Sequence, residues 1–195
     1  MKKITTHIVK TLSTLVGEKQ LSQKKEQLEK HAKDMSFYKA VLPEIVLWPK
    51  STHEVSEIFK LANLHKIPVT AWGGGSSIEG NPIPLKGGIV LNMTRMNNVL
   101  EIIPDDLQVR VQPGMIGKEL DEQLKPYNLW FAAAAGSKHL ATIGGMIANN
   151  SGSMHAVKYG VVADAVLALE VVLADGKIIR VGSRSFKSSS GYHLK

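Results

Sequence analysis

There is no cysteine among the chain's 195 residues. That absence excludes disulfides, thiolate metal sites and a cysteinyl bond to a cofactor, and it fits a reducing, cytoplasmic compartment. Long apolar runs are also missing, and none approaches the ~20 residues that cross a bilayer. The opening MKKITTHIVKTLSTLVGEKQ is interrupted by Lys10 and followed by no A-x-A-like site, so it reads as a short amphipathic helix and not as a secretory signal. Aromatics make up only 6% of the residues. No stripe of Lys and Arg interleaved with them occurs, which argues against a nucleic-acid groove. His7, His31, His53, His65, His139, His155 and His193 show no H-x-x-x-H or H-E-x-x-H spacing. They read as surface or capping residues, and no metal site is expected.

The 44% hydrophobic content is enough for one core or for two small subdomains sharing an interface. The net charge of +7 is unevenly spread. Residues 1–40 hold nine Lys and four acids, and 177–195 hold five Lys/Arg and no acid, while the stretch between them is net −3. The basicity therefore belongs to the ends. Residues 1–40 read as a solvated, basic helical segment that the folded part can lose, with contact to an anionic membrane surface as the alternative. The sequons at Asn92 and Asn149 read as chance, with no secretory signal before them.

Periodicity divides the rest. VLPEIVLWPKS is a short apolar strand between prolines. Ser51 and Glu54 form a capping box for a helix over 52–65, on which Val55, Ile58, Phe59 and Ala62 recur at helical spacing. IPVTA is a buried strand, which closes a β-α-β unit. GGIVLNM is a further strand, and VLEIIPDDLQVRVQPG is a hairpin turning at Pro104–Asp106. IGKELDEQLKPY is a short helix, and AVLALEVVLADGKIIRV is a second hairpin with Asp175-Gly176 at its turn. Helices alternate with strands early and antiparallel pairs dominate later, so the fold class is α+β in two subdomains.

The stretch VTAWGGGSSIEGNP puts Gly73, Gly74 and Gly75 at the carboxyl end of the IPVTA strand, where α/β folds bind ligands. Consecutive glycines are costly in regular structure. They imply either a turn with positive φ or a ligand that approaches bare backbone amides. A Walker A loop fails, because Asn81-Pro82 stands where Lys and a hydroxyl belong. A dinucleotide fingerprint beginning at Gly73 meets Ile78 at its last glycine position. What remains is an anion nest of successive N–H groups with the Ser76 and Ser77 hydroxyls, each charge-assisted bond worth roughly 1.5–3 kcal/mol. Trp72 beside it reads as a lid on the core or as a platform for a ligand ring. A second small-residue element, ATIGGMIANNSG, followed by KYG, supplies Thr142, Ile143, Gly144, Gly145, Asn150, Gly152 and Gly160. Two such elements far apart suggest one long ligand.

These stretches, together with PKSTHEVSEIFKLANLHKIPVTAWGGGSSIEG, VRVQPG and VGSRSFKSSSGY, resemble the FAD-linked oxidases with a flavin domain of the p-cresol methylhydroxylase type, in particular the glycolate oxidase flavin subunit and D-lactate dehydrogenase group. The resemblance covers about 41–195 and implies an FAD between the two subdomains. Gly73–Ser77 match the family's pyrophosphate loop and Pro113-Gly114 a turn beside the cofactor. Thr142–Gly145 and Gly160 match segments lining the flavin and its ribityl chain. Relatives that bind FAD covalently use His or Cys, and the loop here has neither, so a noncovalent FAD is implied. Where relatives carry a Pro-x-Asp-Pro-Gly-Ala type stretch, this chain has Gly136, Ser137, Lys138 and His139, which predicts a more flexible, charged segment. The resemblance also implies a substrate-binding cap domain carrying the catalytic groups, so no catalytic residue is assigned. Three readings stay open: the FAD-binding part of a 2-hydroxy-acid dehydrogenase or oxidase, either truncated or completed by a separately encoded cap chain, a non-catalytic flavin-binding or interaction module, and a remnant without FAD.

Overall fold

Thr5 accepts a hydrogen bond from the Ile8 amide at 3.4 Å and opens helix α1 (Thr6–Val16), which stops at Gly17 with φ +85°. Ile8, Leu12 and Val16 recur every four residues, share one face and are buried. Strand β1 (Leu21–Ser22), helix α2 (Lys25–Lys30) and strand β2 (Ile45–Leu47) follow. Ser51 caps helix α3 (Thr52–His65) by accepting from the Glu54 amide at 3.2 Å, and the Glu54 carboxylate accepts from the Lys50 amide at 2.9 Å. Strands β3 (Val69–Trp72) and β4 (Ile89–Asn92) complete a sheet of order β1-β2-β4-β3. Both β2 and β3 run parallel to β4, and β1 is antiparallel to β2. The β-α-β unit expected from sequence is present, with β4 inserted between its strands.

Every residue of β2 and β4 is buried, because both faces of this sheet are covered. Ile45, Leu47, Ile89 and Leu91 point to one face and pack with Ile8, Leu12 and Val16 of α1 and Val55, Ile58 and Ala62 of α3. Val46 and Val90 point to the other, where they meet Trp72, Leu28 and Trp48.

The second half has a core of its own. Strands β5 (Val99–Ile103) and β6 (Gln108–Val111) pair antiparallel around the Pro104–Asp106 turn, as their alternation predicts. Helices α4 (Gly117–Leu124), α5 (Ile143–Ala148), α6 (Ala156–Tyr159) and α7 (Val162–Ala165) follow. Met115, Leu120, Leu124, Ala133–Ala135, Ile143, Met146 and Val162 form the core, with Val99, Ile102, Val109 and Val111 packed on it. Strands β7 (Ala168–Val172) and β8 (Ile178–Gly182) make the last hairpin. It returns to the first unit, where Val172 packs on the first core and Thr52 donates to Glu170 at 2.7 Å. The computed structural model describes all residues except Met1, Lys2, Lys3, Ser188, Ser190 and His193. The first lysines of the basic start, His193 and two serines of SSSGY thus lie outside the described residues.

The architecture is α+β, as the sequence implies. The solvated reading of residues 1–40 holds for the polar face of α1 and fails for its apolar face, because Leu12 is fully buried against the sheet. Removing α1 would expose Ile45, Leu47, Ile89 and Leu91 to water. Leu12→Ala should cost about 2–5 kcal/mol, whereas Lys10→Ala on the exposed side should move stability by less than about 0.5 kcal/mol. Urea unfolding of both variants checks this, and equal midpoints would mean that the helix does not belong to the core.

Candidate functional site

Gly73, Gly74 and Gly75 leave the end of β3 and open no helix. Gly75 has φ +68°, and a Cβ there would come within 2.6 Å of the Trp72 ring beneath it. A Cβ at Gly73 would overlap the Thr142 hydroxyl, and one at Gly74 would overlap the Leu140 carbonyl. Two of the three glycines are therefore demanded by close approach of the second small-residue element, and one by backbone conformation. Gly74 is exposed and its loop neighbours Gly73, Gly75, Ser76 and Ser77 are half-buried. Among the described residues, no acceptor takes the amides of Gly74, Gly75, Ser76 or Ser77. Consecutive unpartnered N–H groups of this kind suit an anion such as a diphosphate.

The second element spends its amides differently. Thr142 caps α5 by accepting from Gly145 at 3.2 Å, while Ile143 donates to the Met115 carbonyl and Gly144 to the Pro113 carbonyl, both at 2.8 Å. The first turn of α5 is thus bonded to protein. A Cβ on Gly144 would come within 2.8 Å of Pro113, and one on Gly114 would overlap the Met93 carbonyl. Gly114 donates to the Met96 carbonyl at 2.7 Å. Pro113-Gly114 and Thr142–Gly145 therefore form one seam against the glycine loop. Asn81, at the loop's exit, donates to Asn149. Asn150, at φ +45°, accepts from Ala163 at 2.9 Å, Gly152 lies against Val161, and Gly160 at φ +76° lies against Asp164. These three pack the α6–α7 corner onto the segment that follows α5.

Trp72 is buried, with its ring 4.9 Å from the His31 ring. It is a lid on the core, and a ligand ring could not stack on it without moving the loop. His31 is not the surface or capping residue expected from sequence. It is 1% exposed and lies between Trp48 and Trp72. Its Nδ1 is 2.7 Å from the Gln27 carbonyl and its Nε2 is 2.8 Å from the Asn92 amide nitrogen. A carbonyl only accepts and an amide nitrogen only donates, so the proton sits on Nδ1 and the ring is neutral. Burial is the main cause that lowers its pKa, opposed by the Gln27 bond and aided by Lys30.

Asp34 also went unseen in the sequence. Its Oδ2 accepts from the Gly80 amide at 2.8 Å and its Oδ1 from the Ser36 amide at 3.0 Å. Burial pushes its pKa up, but bonds from Ser36, the Gly80 amide and the Ser77 hydroxyl outweigh this and hold it below the ordinary carboxylate value. The 136–139 stretch is pinned, contrary to the expected flexibility. Lys138 pairs with Asp121 at 2.5 Å, lies 5.6 Å from the Trp130 ring centre, and accepts from the Lys118 amide at 2.9 Å. Asp121 also accepts from the Phe131 amide at 2.8 Å. Among the described residues, no group of three or more His, Cys, Asp or Glu gathers to hold a metal ion, and no helix is long and apolar enough to cross a membrane.

A neutral buried imidazole links stability to pH. The folded His31 pKa lies below the unfolded value, so the unfolded chain binds the extra proton and stability falls as pH drops below about 6.5. The melting temperature should fall between about pH 7 and pH 5.5, and His31→Gln should flatten that slope. A wild-type melting temperature that rises with acid over this range would refute the assignment.

A sequence model of the FAD binding domain matches residues 43–182. The mitochondrial D-lactate dehydrogenase [cytochrome] of Arabidopsis thaliana is 37% identical over 194 residues, which is 99% of this chain and 34% of that protein. The glycolate oxidase subunit GlcD of Bacillus subtilis is 39% identical over 153 residues, covering 78% of this chain and 33% of the subunit. Among solved structures, an alkyldihydroxyacetonephosphate synthase superposes with a TM-score of 0.84 at 25% identity, over 93% of this chain and 35% of that one. A p-cresol methylhydroxylase superposes at 0.73 and 23% identity, over 89% and 34%, and shows the fold. The chain spans about a third of the length of the curated relatives it matches. Its fold is that of a p-cresol methylhydroxylase-type flavin domain, and the chain belongs to the FAD binding domain family, with FAD as its cofactor.

Proposed function

We propose that this chain is the FAD-holding portion of a flavin-dependent dehydrogenase or oxidase acting on 2-hydroxy acids of the D-lactate or glycolate type. The observation that carries this reading is the row of free amides over Gly74–Ser77, set against the small-residue seam of a chain whose relatives bear those enzymes' names. In this reading Gly73–Ser77 hold the diphosphate and Trp72 supports the loop from beneath. Pro113, Gly114, Thr142, Ile143, Gly144, Gly145, Asn150, Gly152 and Gly160 line the ribityl and flavin side. Bound FAD supplies a two-electron acceptor for the substrate's α-hydrogen. The chain offers no cysteine for a covalent link and the loop has no histidine, so binding is noncovalent. A reducing, cytoplasmic setting accords with the missing cysteines, and the basic ends could meet an anionic membrane surface.

Oxidising a 2-hydroxy acid also requires a base for the hydroxyl proton and a cation for the carboxylate. Near the seam, Lys138 is committed to Asp121, Asp34 to the Gly80 and Ser36 amides, and His31 is buried and neutral. We therefore assign substrate activation to a cap domain that lies outside this FAD-holding portion.

Purified protein should show flavin absorption and release about one FAD per chain on denaturation without proteolysis. Gly74→Val should abolish FAD retention and loosen the docking of 137–142, because the new side chain strikes the Leu140 carbonyl. Retention equal to wild type would remove the loop from the site. With FAD loaded, anaerobic D-lactate or glycolate should leave the flavin colour of this chain alone unchanged over minutes. Rapid bleaching without a partner would show that the catalytic groups lie within this chain.

A further inference from the structure

We propose that residues 31–38 form an outer clamp on the glycine loop, in which the Asp34 carboxylate positions the free amides of Gly74–Ser77 by holding the loop's far end. The proposal rests on the FAD reading above and adds residues that lie outside the 43–182 family match.

The loop has two anchors. At its near end it leaves β3 over the Trp72 ring, which rests on His31. At its far end Asp34 accepts from the Gly80 amide at 2.8 Å, and the Met35 amide donates to the Ser77 carbonyl at 3.0 Å. The Tyr38 ring closes over Gly80, where φ is +81° and a Cβ would fall 2.8 Å from Tyr38 Cδ2. Between the anchors, Gly74, Gly75 and Ser76 donate to no acceptor among the described residues. Without the second anchor this stretch would sample many conformations, and binding would carry the entropy of ordering it.

A carboxylate is a surprising neighbour for a diphosphate. Asp34 is only 7% exposed, and each of its oxygens accepts from a backbone amide, Oδ2 from Gly80 and Oδ1 from Ser36. Its charge is thus engaged by dipoles on the loop's inner side. The Ser77 hydroxyl accepts from the Glu79 amide at 3.2 Å, one residue before Gly80, and so belongs to the same turn that Asp34 holds. A neutral amide in place of Asp34 would turn one donor toward groups that are themselves donors.

The test compares wild type, Asp34→Asn and Ser77→Ala in the full chain, with Asp106→Asn in the β5–β6 turn as a charge-matched control. FAD affinity is read by fluorescence titration well below every melting temperature, so that all variants are folded. Amide exchange at Gly80 is followed in parallel. Asp34→Asn should weaken FAD binding at least about ten-fold and speed Gly80 exchange. Ser77→Ala should weaken binding by about three-fold or more, and it keeps the test open if Asp34→Asn does not fold. The control should match wild type. FAD affinity that stays at the wild-type level in Asp34→Asn, or in Ser77→Ala if only that variant folds, overturns the clamp and leaves the cofactor reading standing. Wild-type protein that binds no FAD overturns both, and that outcome is visible without any substitution.

Discussion

Two backbones that touch set the geometry of this protein. Gly73 and Gly74 lie so close to Leu140 and Thr142 that no side chain fits between them. The contact joins the end of a strand in the first sheet to the segment that caps α5 in the second core. The other crossings of the same seam obey the same rule, with Gly114 against Met93 and Gly144 against Pro113. Close backbone approach needs small residues, which is why Ala and Gly crowd 132–152. The positions that Cβ atoms of Gly73 and Gly74 would take are filled by the chain itself, while the amides of Gly74–Ser77 have no acceptor among the described residues.

Beneath that loop the structure buries polar groups, which is costly unless each finds a partner. His31 does so with the Gln27 carbonyl and the Asn92 side chain, and Asn92 in turn accepts from the Thr94 amide and hydroxyl at 2.9 and 2.7 Å. The network ties α2 to the end of β4, and the indoles of Trp48 and Trp72 wall it off from water. Replacing it with apolar side chains would pack as well, but it would lose the directional bonds that fix where Trp72, and therefore Gly75, must lie.

Local signals made much of the fold legible. The helix over 52–65 with its Ser51 cap, the two hairpins and the apolar strands are all written in short-range pattern, and they stand where that pattern puts them. The family motifs located the seam. The N-terminal contributions were not legible, because their partners are distant in sequence: Asp34 and Gly80 are 46 residues apart, and His31 and Asn92 are 61 apart. In a run as polar as KKEQLEKHAKD, nothing local separates a buried histidine from a solvated one. The glycine triplet was ambiguous for a different reason. Exclusion of Cβ by protein and exclusion by a ligand select the same residue, so sequence cannot divide the three positions between the two causes.

Holding an anion with backbone amides follows from this arrangement. A lysine placed on the loop would find the Asp34 carboxylate within reach, and at short range that fixed charge competes with a diphosphate for it. Backbone N–H groups cannot swing toward Asp34, because the sheet at one end and the Gly80 bond at the other fix their directions. They also present partial charges whose geometry costs little to organise once the loop is held. The chain's mildly acidic middle therefore does not oppose an anionic cofactor, since long-range net charge is screened over about 8–10 Å while the amides act at contact. Placement of donors, rather than the sum of charges, sets what this loop can hold.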